Sequence, residues 1–328
     1  MKEIAKLLCF IFFLSQQSSF SQWFLQNSGV MINLNSVYFL NVNVGLAAGD
    51  EGVILKTTNG GNDWFQLTSG TTNNLNTLYF VNSDTGWAAG DNAVIIKTTN
   101  GGLTWENQTS NPPYGNISSI YFTSPGSGWA TGYIEYSPGN FDSYISKTLN
   151  GGITWEDNYN IMDEKMFDIM FPDNLNGWDV GTAIYVTTDG GSNWYGSGTG
   201  IEFHSVYFVD QFTGWIAGTD YINNKGIVIH TTDGGITWYP PVNFPSISLN
   251  SLFFTNLSTA SIIDSGVCLS NNIPDCISII ESFIPPLLKA ITGVPHDSAS
   301  TTIIPKSSSA AKTNAFAFCI YSFSFSSG

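Results

Sequence analysis

The chain has 328 residues, a formal net charge of −15, and ten basic residues that are all lysine. Basic side chains that neutralise phosphates supply most non-specific affinity for nucleic acid, so this composition argues against a nucleic-acid partner. The negative charge also disfavours electrostatic docking on an anionic lipid surface. The length fits one large repeat domain or two ordinary domains.

The first residues have the pattern of a secretory signal peptide. Lys2 and Lys6 form a basic n-region, and the apolar run at 7–14 is too short to cross a bilayer. Small residues at 19 and 21 suit a signal peptidase. We therefore expect residues 1–21 to be removed, a mature chain that starts at Gln22, and a location outside the cell or in the cell envelope.

Residues 22–256 are predicted to form a repeat domain. Most copies contain a Gly-Trp strand, and every copy has a Thr-x-Asn/Asp-Gly-Gly turn that closes on a tryptophan. The closing tryptophans are separated by 41, 50, 39 and 44 residues, and they are Trp64, Trp105, Trp155, Trp194 and Trp238. A self-similar unit of this length is typical of propellers, in which each unit buries its apolar face against its neighbours.

The strands within each unit are short, alternate in polarity and are bounded by Gly, Asn and Asp, with no helical periodicity. This predicts an all-β β-propeller of four-stranded antiparallel blades. Five blades are expected at 34–67, 75–108, 117–158, 166–197 and 203–240. Residues 23–29 match the fourth strand of the first blade and the turn after it, so we expect them to close the ring by completing a last blade.

The repeat pattern fails after Phe254. A sixth blade begins at 249–254, but neither a Gly-Trp strand nor a Gly-Gly turn follows. Two interpretations of residues 257–328 remain open. They are a degenerate sixth blade that uses 261–263 and 276–280 and ends in a loose tail, or a non-native sequence after a broken reading frame. The three cysteines beyond the signal peptide lie here and allow one disulfide at most.

The repeated turn resembles the Asp-box, the bacterial neuraminidase repeat. The resemblance implies that an Asn or Asp side chain caps turn amides and that the tryptophan packs between sheets. The capping residues would be Asn59, Asn100, Asn150, Asp189 and Asp233.

The longer phrase, Gly-Trp-x-x-Gly-Asp followed by Lys-Thr-Thr-Asn-Gly-Gly, resembles the propeller family of plant and cyanobacterial photosystem II assembly and stability factors, which has secreted bacterial relatives. The resemblance covers 23–256. Members that act on photosystem II use a basic, arginine-bearing face, which a chain without arginine does not provide. A sialidase is excluded for a similar reason, since lysine does not reproduce the bidentate grip of arginine on the substrate carboxylate.

Two aspartates, Asp50 and Asp91, could form a carboxylate pair for glycoside hydrolysis. They occupy equivalent positions in successive blades, which favours a structural role in a turn. His204 and His230 lack a third ligand at metal spacing. We therefore expect no catalytic residue, no metal and no cofactor.

Blades 3 and 5 carry insertions between their second and third strands, at 133–144 and 219–225. Tyrosines near carboxylates suit a sugar or a peptide, because rings stack while acids fix orientation; lengthening of the loops without function is the alternative. The candidate ligand-binding residues are Tyr114, Tyr133, Glu135, Tyr136, Asp142, Tyr144 and Tyr221.

The sequence thus predicts a secreted or cell-envelope, non-catalytic binding or scaffolding module. It would be a monomer without membrane insertion, and its ligand a protein or a carbohydrate. The alternatives are a photosystem II assembly chaperone and a glycoside hydrolase that uses carboxylates of the central pore.

Overall fold

The computed structural model describes residues 26–108, 115–239, 242–245, 248–254 and 265–269. These residues form five four-stranded antiparallel sheets and one two-stranded sheet. In each four-stranded sheet the strands lie side by side in chain order, which is the arrangement of a propeller blade. The prediction of an all-β propeller with four-stranded blades is confirmed.

Each blade is a meander of short strands joined by tight turns. Blade 1 contains β1 (Leu34–Phe39), β2 (Gly45–Gly49), β3 (Ile54–Thr57) and β4 (Phe65–Leu67). Blade 2 contains β5 (Leu75–Phe80), β6 (Gly86–Gly90), β7 (Ile95–Thr98) and β8 (Glu106–Gln108). Blade 3 contains β9 (Asn116–Phe122), β10 (Gly128–Ser137), β11 (Asn140–Thr148) and β12 (Glu156–Met162).

Blades 4 and 5 repeat the plan, and a sixth sheet begins it. Blade 4 contains β13 (Met166–Met170), β14 (Gly177–Gly181), β15 (Ala183–Thr187) and β16 (Tyr195–Gly198). Blade 5 contains β17 (Glu202–Phe208), β18 (Gly214–Asp220), β19 (Lys225–Thr231) and β20 (Val242–Pro245). The sixth sheet contains β21 (Leu249–Phe254) and β22 (Ser265–Leu269).

These bounds agree with the five predicted blades to within a few residues. In the sixth sheet β21 pairs with β22, a strand that the sequence pattern did not indicate. Residues 261–263, 276–280 and 23–25 lie outside the described part of the chain, so closure of the ring by the N-terminal strand stays a prediction. Within the described residues, no helix is long and apolar enough to cross a membrane.

The turns divide into two faces. In every blade the first glycine of the Asp-box turn donates its N–H to the turn between strands 1 and 2, as from Gly101 to Asp84 O at 2.9 Å. The connections between strands 2 and 3 therefore lie at the other end of each blade, together with those between blades, where Asp91 N donates to Asn74 O at 3.0 Å. We call the two ends the Asp-box face and the hairpin face.

Neighbouring blades are held together by an aromatic stack. In blade 3, Trp129 of β10 stacks on Phe171 of blade 4, with centroids 3.7 Å apart and planes at 14°. Phe171 in turn meets the edge of the closing Trp194 at 5.8 Å. Trp129 Nε1 donates to Gly190 O at 3.2 Å, and Lys147 Nζ donates to the same carbonyl at 2.7 Å. Stacking and hydrogen bonding thus coincide at one contact.

The same contact recurs where Trp87 stacks on Phe122 at 3.4 Å and where Trp178 stacks on Phe208 at 3.6 Å. Their indole N–H groups also donate to an Asp-box glycine of the next blade. Leu46 takes the tryptophan position in blade 1. Hydroxyls of the first strands add cross-blade bonds, as where Leu78 N donates to Ser36 Oγ at 3.0 Å.

Replacing Trp129 by alanine should lower the free energy of unfolding by about 3–5 kcal/mol, because a buried ring and its hydrogen bond are lost together. Trp129→Leu should cost clearly less, since Leu46 fills the same position in blade 1. Urea denaturation of the three proteins measures both effects. An alanine variant as stable as the parent would contradict the importance of this stack.

Candidate functional site

The Asp-box turns have one geometry in all five blades. The hydroxyl of the threonine that ends strand 3 accepts the N–H of the second glycine, as from Gly102 N to Thr98 Oγ1 at 2.9 Å. The capping side chain then accepts the N–H four residues on, as from Thr104 N to Asn100 Oδ1 at 2.9 Å. Matching bonds occur at Asn59, Asn150, Asp189 and Asp233.

Where the capping residue is an aspartate, its charge is stabilised by the same bonds. The Asn193 side chain and backbone N–H lower the pKa of Asp189 to about 2. The Thr237 hydroxyl and N–H do the same for Asp233. These carboxylates therefore stabilise the turn in their ionised form.

The aspartates considered for hydrolysis also act within the structure. Asp50 accepts from Asn33 and Asn35 side chains at 2.8 and 3.0 Å. Asp91 accepts from Asn74 and Asn76 in the same way. Asn35 and its equivalent Asn76 also donate to a carbonyl of the following blade. The two aspartates thus stabilise turns and blade contacts.

The insertion in blade 3 is a longer hairpin rather than a loop. Its residues extend β10 and β11, and Tyr133 pairs with Ser143 across the two strands. Tyr136 is 62 % exposed and Glu135 beside it is also exposed, while Tyr133 and Asp142 are half-buried. The hairpin presents these residues on the hairpin face.

One of the candidate residues is buried, and another lies outside the described part of the chain. Tyr144 is only 3 % exposed, because it lies opposite Gly132 and its hydroxyl, with the Asn116 carbonyl, occupies the space that a side chain at 132 would need. Its hydroxyl donates to Asn116 O at 3.3 Å. Tyr144 therefore belongs to the core of blade 3. Tyr114 lies outside the described residues.

Aromatic side chains of three successive blades form a row on the hairpin face. Tyr133 of blade 3 meets Phe167 of blade 4 with centroids 6.5 Å apart, and Phe167 meets His204 of blade 5 at 5.2 Å. The ring of Tyr221, 62 % exposed, stands on the blade 5 hairpin. We call Tyr133, Phe167, His204 and Tyr221 the aromatic row.

A lysine lies beside the aromatic row. Lys165 Nζ is 4.8 Å from the ring centroids of both Tyr133 and Phe141. Both distances fall within the range of cation–π attraction. Burial raises the pKa of Glu202, and the Lys165 charge opposes that rise. Lys165 thus sits between two rings and close to an acid.

Sequence analysis did not single out Phe167 or Lys165, and it treated His204 only as a possible metal ligand. Alignment of the repeats could have identified Phe167 and His204. Phe167 and His204 occupy the positions of Asn35 and Asn76, whose side chains join blades 1 and 2 to their neighbours. Burial lowers the pKa of His204, so its ring is neutral at pH 7. His230 stacks on Tyr239 elsewhere in blade 5.

Within the residues that the structure describes, no three His, Cys, Asp or Glu side chains converge as metal ligands. Blade 4 does contain one wholly buried acid and one half-buried acid. Asp179, wholly buried, stands where blades 1 to 3 have alanine, and its Oδ2 accepts from Thr131 Oγ1 at 2.8 Å. Asp168 accepts from Ser119 Oγ at 2.8 Å and from Val206 N at 2.9 Å.

Burial raises the pKa of both acids, to about 6 for Asp168 and well above the ordinary value for Asp179. The folded protein therefore binds more protons than the unfolded chain between about pH 4 and the raised pKa values. The stability that each acid contributes is complete below about pH 4 and is lost as the pH rises towards its raised pKa, which is about 6 for Asp168.

Asp179→Ala should stabilise the protein at pH 7.5 by about 1–3 kcal/mol, because an unfavourably buried carboxylate is removed. Thr131 Oγ1 keeps its bond to Tyr144 O. The advantage over the parent should shrink between pH 7.5 and pH 5, and Asp179→Asn, which removes the charge alone, should show the same trend. Denaturation at several pH values tests this, and a difference independent of pH would contradict it.

The model of the family described as photosynthesis system II assembly factor YCF48 matches residues 15–112. Curated protein sequences give no match. A solved structure of YCF48 bound to D1 peptide is 17 % identical, with 72 % of this chain and 93 % of that chain covered and a TM-score of 0.39.

Two glycoside hydrolase structures share the fold with this chain, and both proteins are much longer than it. An ancestral GH74 enzyme is 17 % identical with a TM-score of 0.54, over 68 % of this chain and 33 % of that one. The GH74 xyloglucanase from Xanthomonas campestris is 11 % identical with a TM-score of 0.50, over 66 % and 39 %. This chain thus spans little more than a third of those enzymes. The chain is an Asp-box β-propeller that resembles the photosystem II assembly factor YCF48.

Proposed function

We propose that the protein is an exported, non-catalytic β-propeller that binds a partner, a polypeptide or a glycan, on the hairpin face of blades 3 to 5. The stacked blades provide a scaffold, and the blade 3 and blade 5 hairpins provide the contact surface. The protein binds this partner and catalyses no reaction on it. It acts as a monomer.

The proposal rests on Phe167 and His204, which stand where blades 1 and 2 have an asparagine. In blades 1 and 2 the asparagine at this position bonds both its own blade and the next one. Phe167 and His204 give up those bonds and leave partly exposed rings in their place. The rings make contacts between blades in place of the lost hydrogen bonds, and they also leave aromatic surface exposed, which suits recognition of a partner.

The N-terminal pattern supports export. Lys2 and Lys6, the apolar run at 7–14 and the small residues at 19 and 21 fit a signal peptide that is cleaved before Gln22. A partner outside the cytoplasm follows from this part of the proposal.

Two other functions have weaker support. The YCF48 family model matches up to residue 112, before blade 3 begins, so it does not extend to the aromatic row. A photosystem role therefore cannot be transferred to this surface. For hydrolysis, Asp179 is wholly buried and Asp50 and Asp91 are held by asparagines, which leaves them poorly placed to reach a sugar.

The double substitution Tyr136→Ala and Tyr221→Ala should weaken partner binding by about tenfold or more, since exposed aromatic anchors dominate such surfaces. Peptide and glycan arrays would identify ligands, and titration calorimetry would measure affinity. Tyr195→Ala is the matched control, because Tyr195 is 70 % exposed but follows the Asp-box turn of blade 4. Equal binding by the double variant and the control would refute the proposed surface.

A further inference from the structure

We infer that the partner is a basic polypeptide segment, and that one of its lysine or arginine side chains enters between Tyr133 and Phe141. This inference rests on the proposed function and specifies the ligand of the same surface. Its support comes from the charge of the hairpin face, from the position of Lys165 and from the orientation of the rings.

Acids outnumber basic residues on this part of the hairpin face. The connections and hairpins of blades 3 to 5 carry two lysines, Lys165 and Lys225, and the latter already lies 3.8 Å from Asp220. The acids in the same segments are Glu135, Asp142, Asp163, Glu164, Glu202 and Asp220. A surface with this balance attracts a cationic partner and repels an anionic one.

The rings of Tyr133 and Phe141 already attract an ammonium group. Lys165 Nζ lies 4.8 Å from each centroid, which shows that the faces of these two rings accept a cation. Lys165 is half-buried and its stem is long and flexible, so the group can swing out towards solvent. The chain's own lysine thus occupies the place that we assign to a ligand side chain.

The orientation of the rings favours such a side chain over a sugar. Tyr133 and Phe167 meet at 69°, and Phe167 and His204 meet at 45°. Rings inclined in this way offer no common flat platform for successive sugar units. Tyr136, Tyr221 and Ile222 are exposed on the two hairpins and provide apolar contact for the stems of basic residues.

The test uses the full mature chain and three probes: a twelve-residue lysine-rich peptide, a peptide in which glutamates replace the lysines, and an uncharged oligosaccharide. The lysine peptide should bind at least about tenfold more tightly than the glutamate peptide. Its affinity should fall about fivefold or more when NaCl is raised from 0.05 to 0.5 M, because the attraction is screened.

Two variants that each remove one positive charge distinguish the effect of the ring contact from the effect of the net charge of the surface. Lys165→Met removes the competing ammonium and should strengthen binding of the lysine peptide about fivefold, whereas Lys225→Met should have a smaller effect. Tyr133→Ala should weaken binding. Equal gains for the two lysine variants would overturn the assignment of the ligand side chain to these rings.

The outcomes also distinguish this inference from the proposed function. If the oligosaccharide or the glutamate peptide binds and the tyrosine double variant loses that binding, the surface is real but the basic partner is wrong. If the lysine peptide binds equally to the parent and to the double variant, its site lies elsewhere and the inference fails. If no array ligand depends on Tyr136 and Tyr221, the proposed function itself fails.

Discussion

A tryptophan stacked on the first-strand phenylalanine of the next blade is the contact on which this structure depends. Trp87, Trp129 and Trp178 each stack in this way and donate their indole N–H to an Asp-box glycine of the following blade. The Asp-box turn must present that carbonyl, which explains why its threonine, capping residue and glycines recur together. Sheet packing and turn geometry are therefore one constraint repeated along the chain.

This constraint confines variation to the hairpin face. The Asp-box face is fixed by bonds that each blade needs, whereas connections between strands 2 and 3 can lengthen without disturbing the stack. Blades 3 and 5 use that freedom for longer hairpins, and blades 4 and 5 replace a cross-blade asparagine with Phe167 and His204. The buried Asp179 is a further departure of blade 4, and it lies within the sheet rather than on the face.

Most of the architecture could be predicted because it repeats. Five copies of one turn predicted five blades and their strand order, and the side chains of Asn59 and its equivalents accept the capping hydrogen bonds. The site was harder to predict. Phe167 and His204 belong to no motif, and they stand out only because blades 1 and 2 have an asparagine at the same position.

Tyr144 shows a second limit of prediction. A tyrosine in a polar insertion resembles a surface residue, but the hairpin register places Tyr144 opposite Gly132 and turns its ring inward. The side chain's direction depends on the register of the whole hairpin, and β10 pairs with β11 without a shift from Gly128 to Glu135. The sequence did not indicate β22, the partner of β21, because β22 carries none of the Gly-Trp pattern that marks most of the other second strands.

The central claim is that a scaffold of repeated contacts presents one binding surface, where blades 3 to 5 depart from the repeat. Hydrogen-exchange mass spectrometry of the mature chain, with and without the lysine-rich peptide, tests it most directly. The account predicts slower exchange in peptides that cover 133–144, 163–167 and 219–225, with the Asp-box turns and blades 1 and 2 unchanged. Protection centred on the Asp-box turns, or spread evenly over all blades, would contradict it.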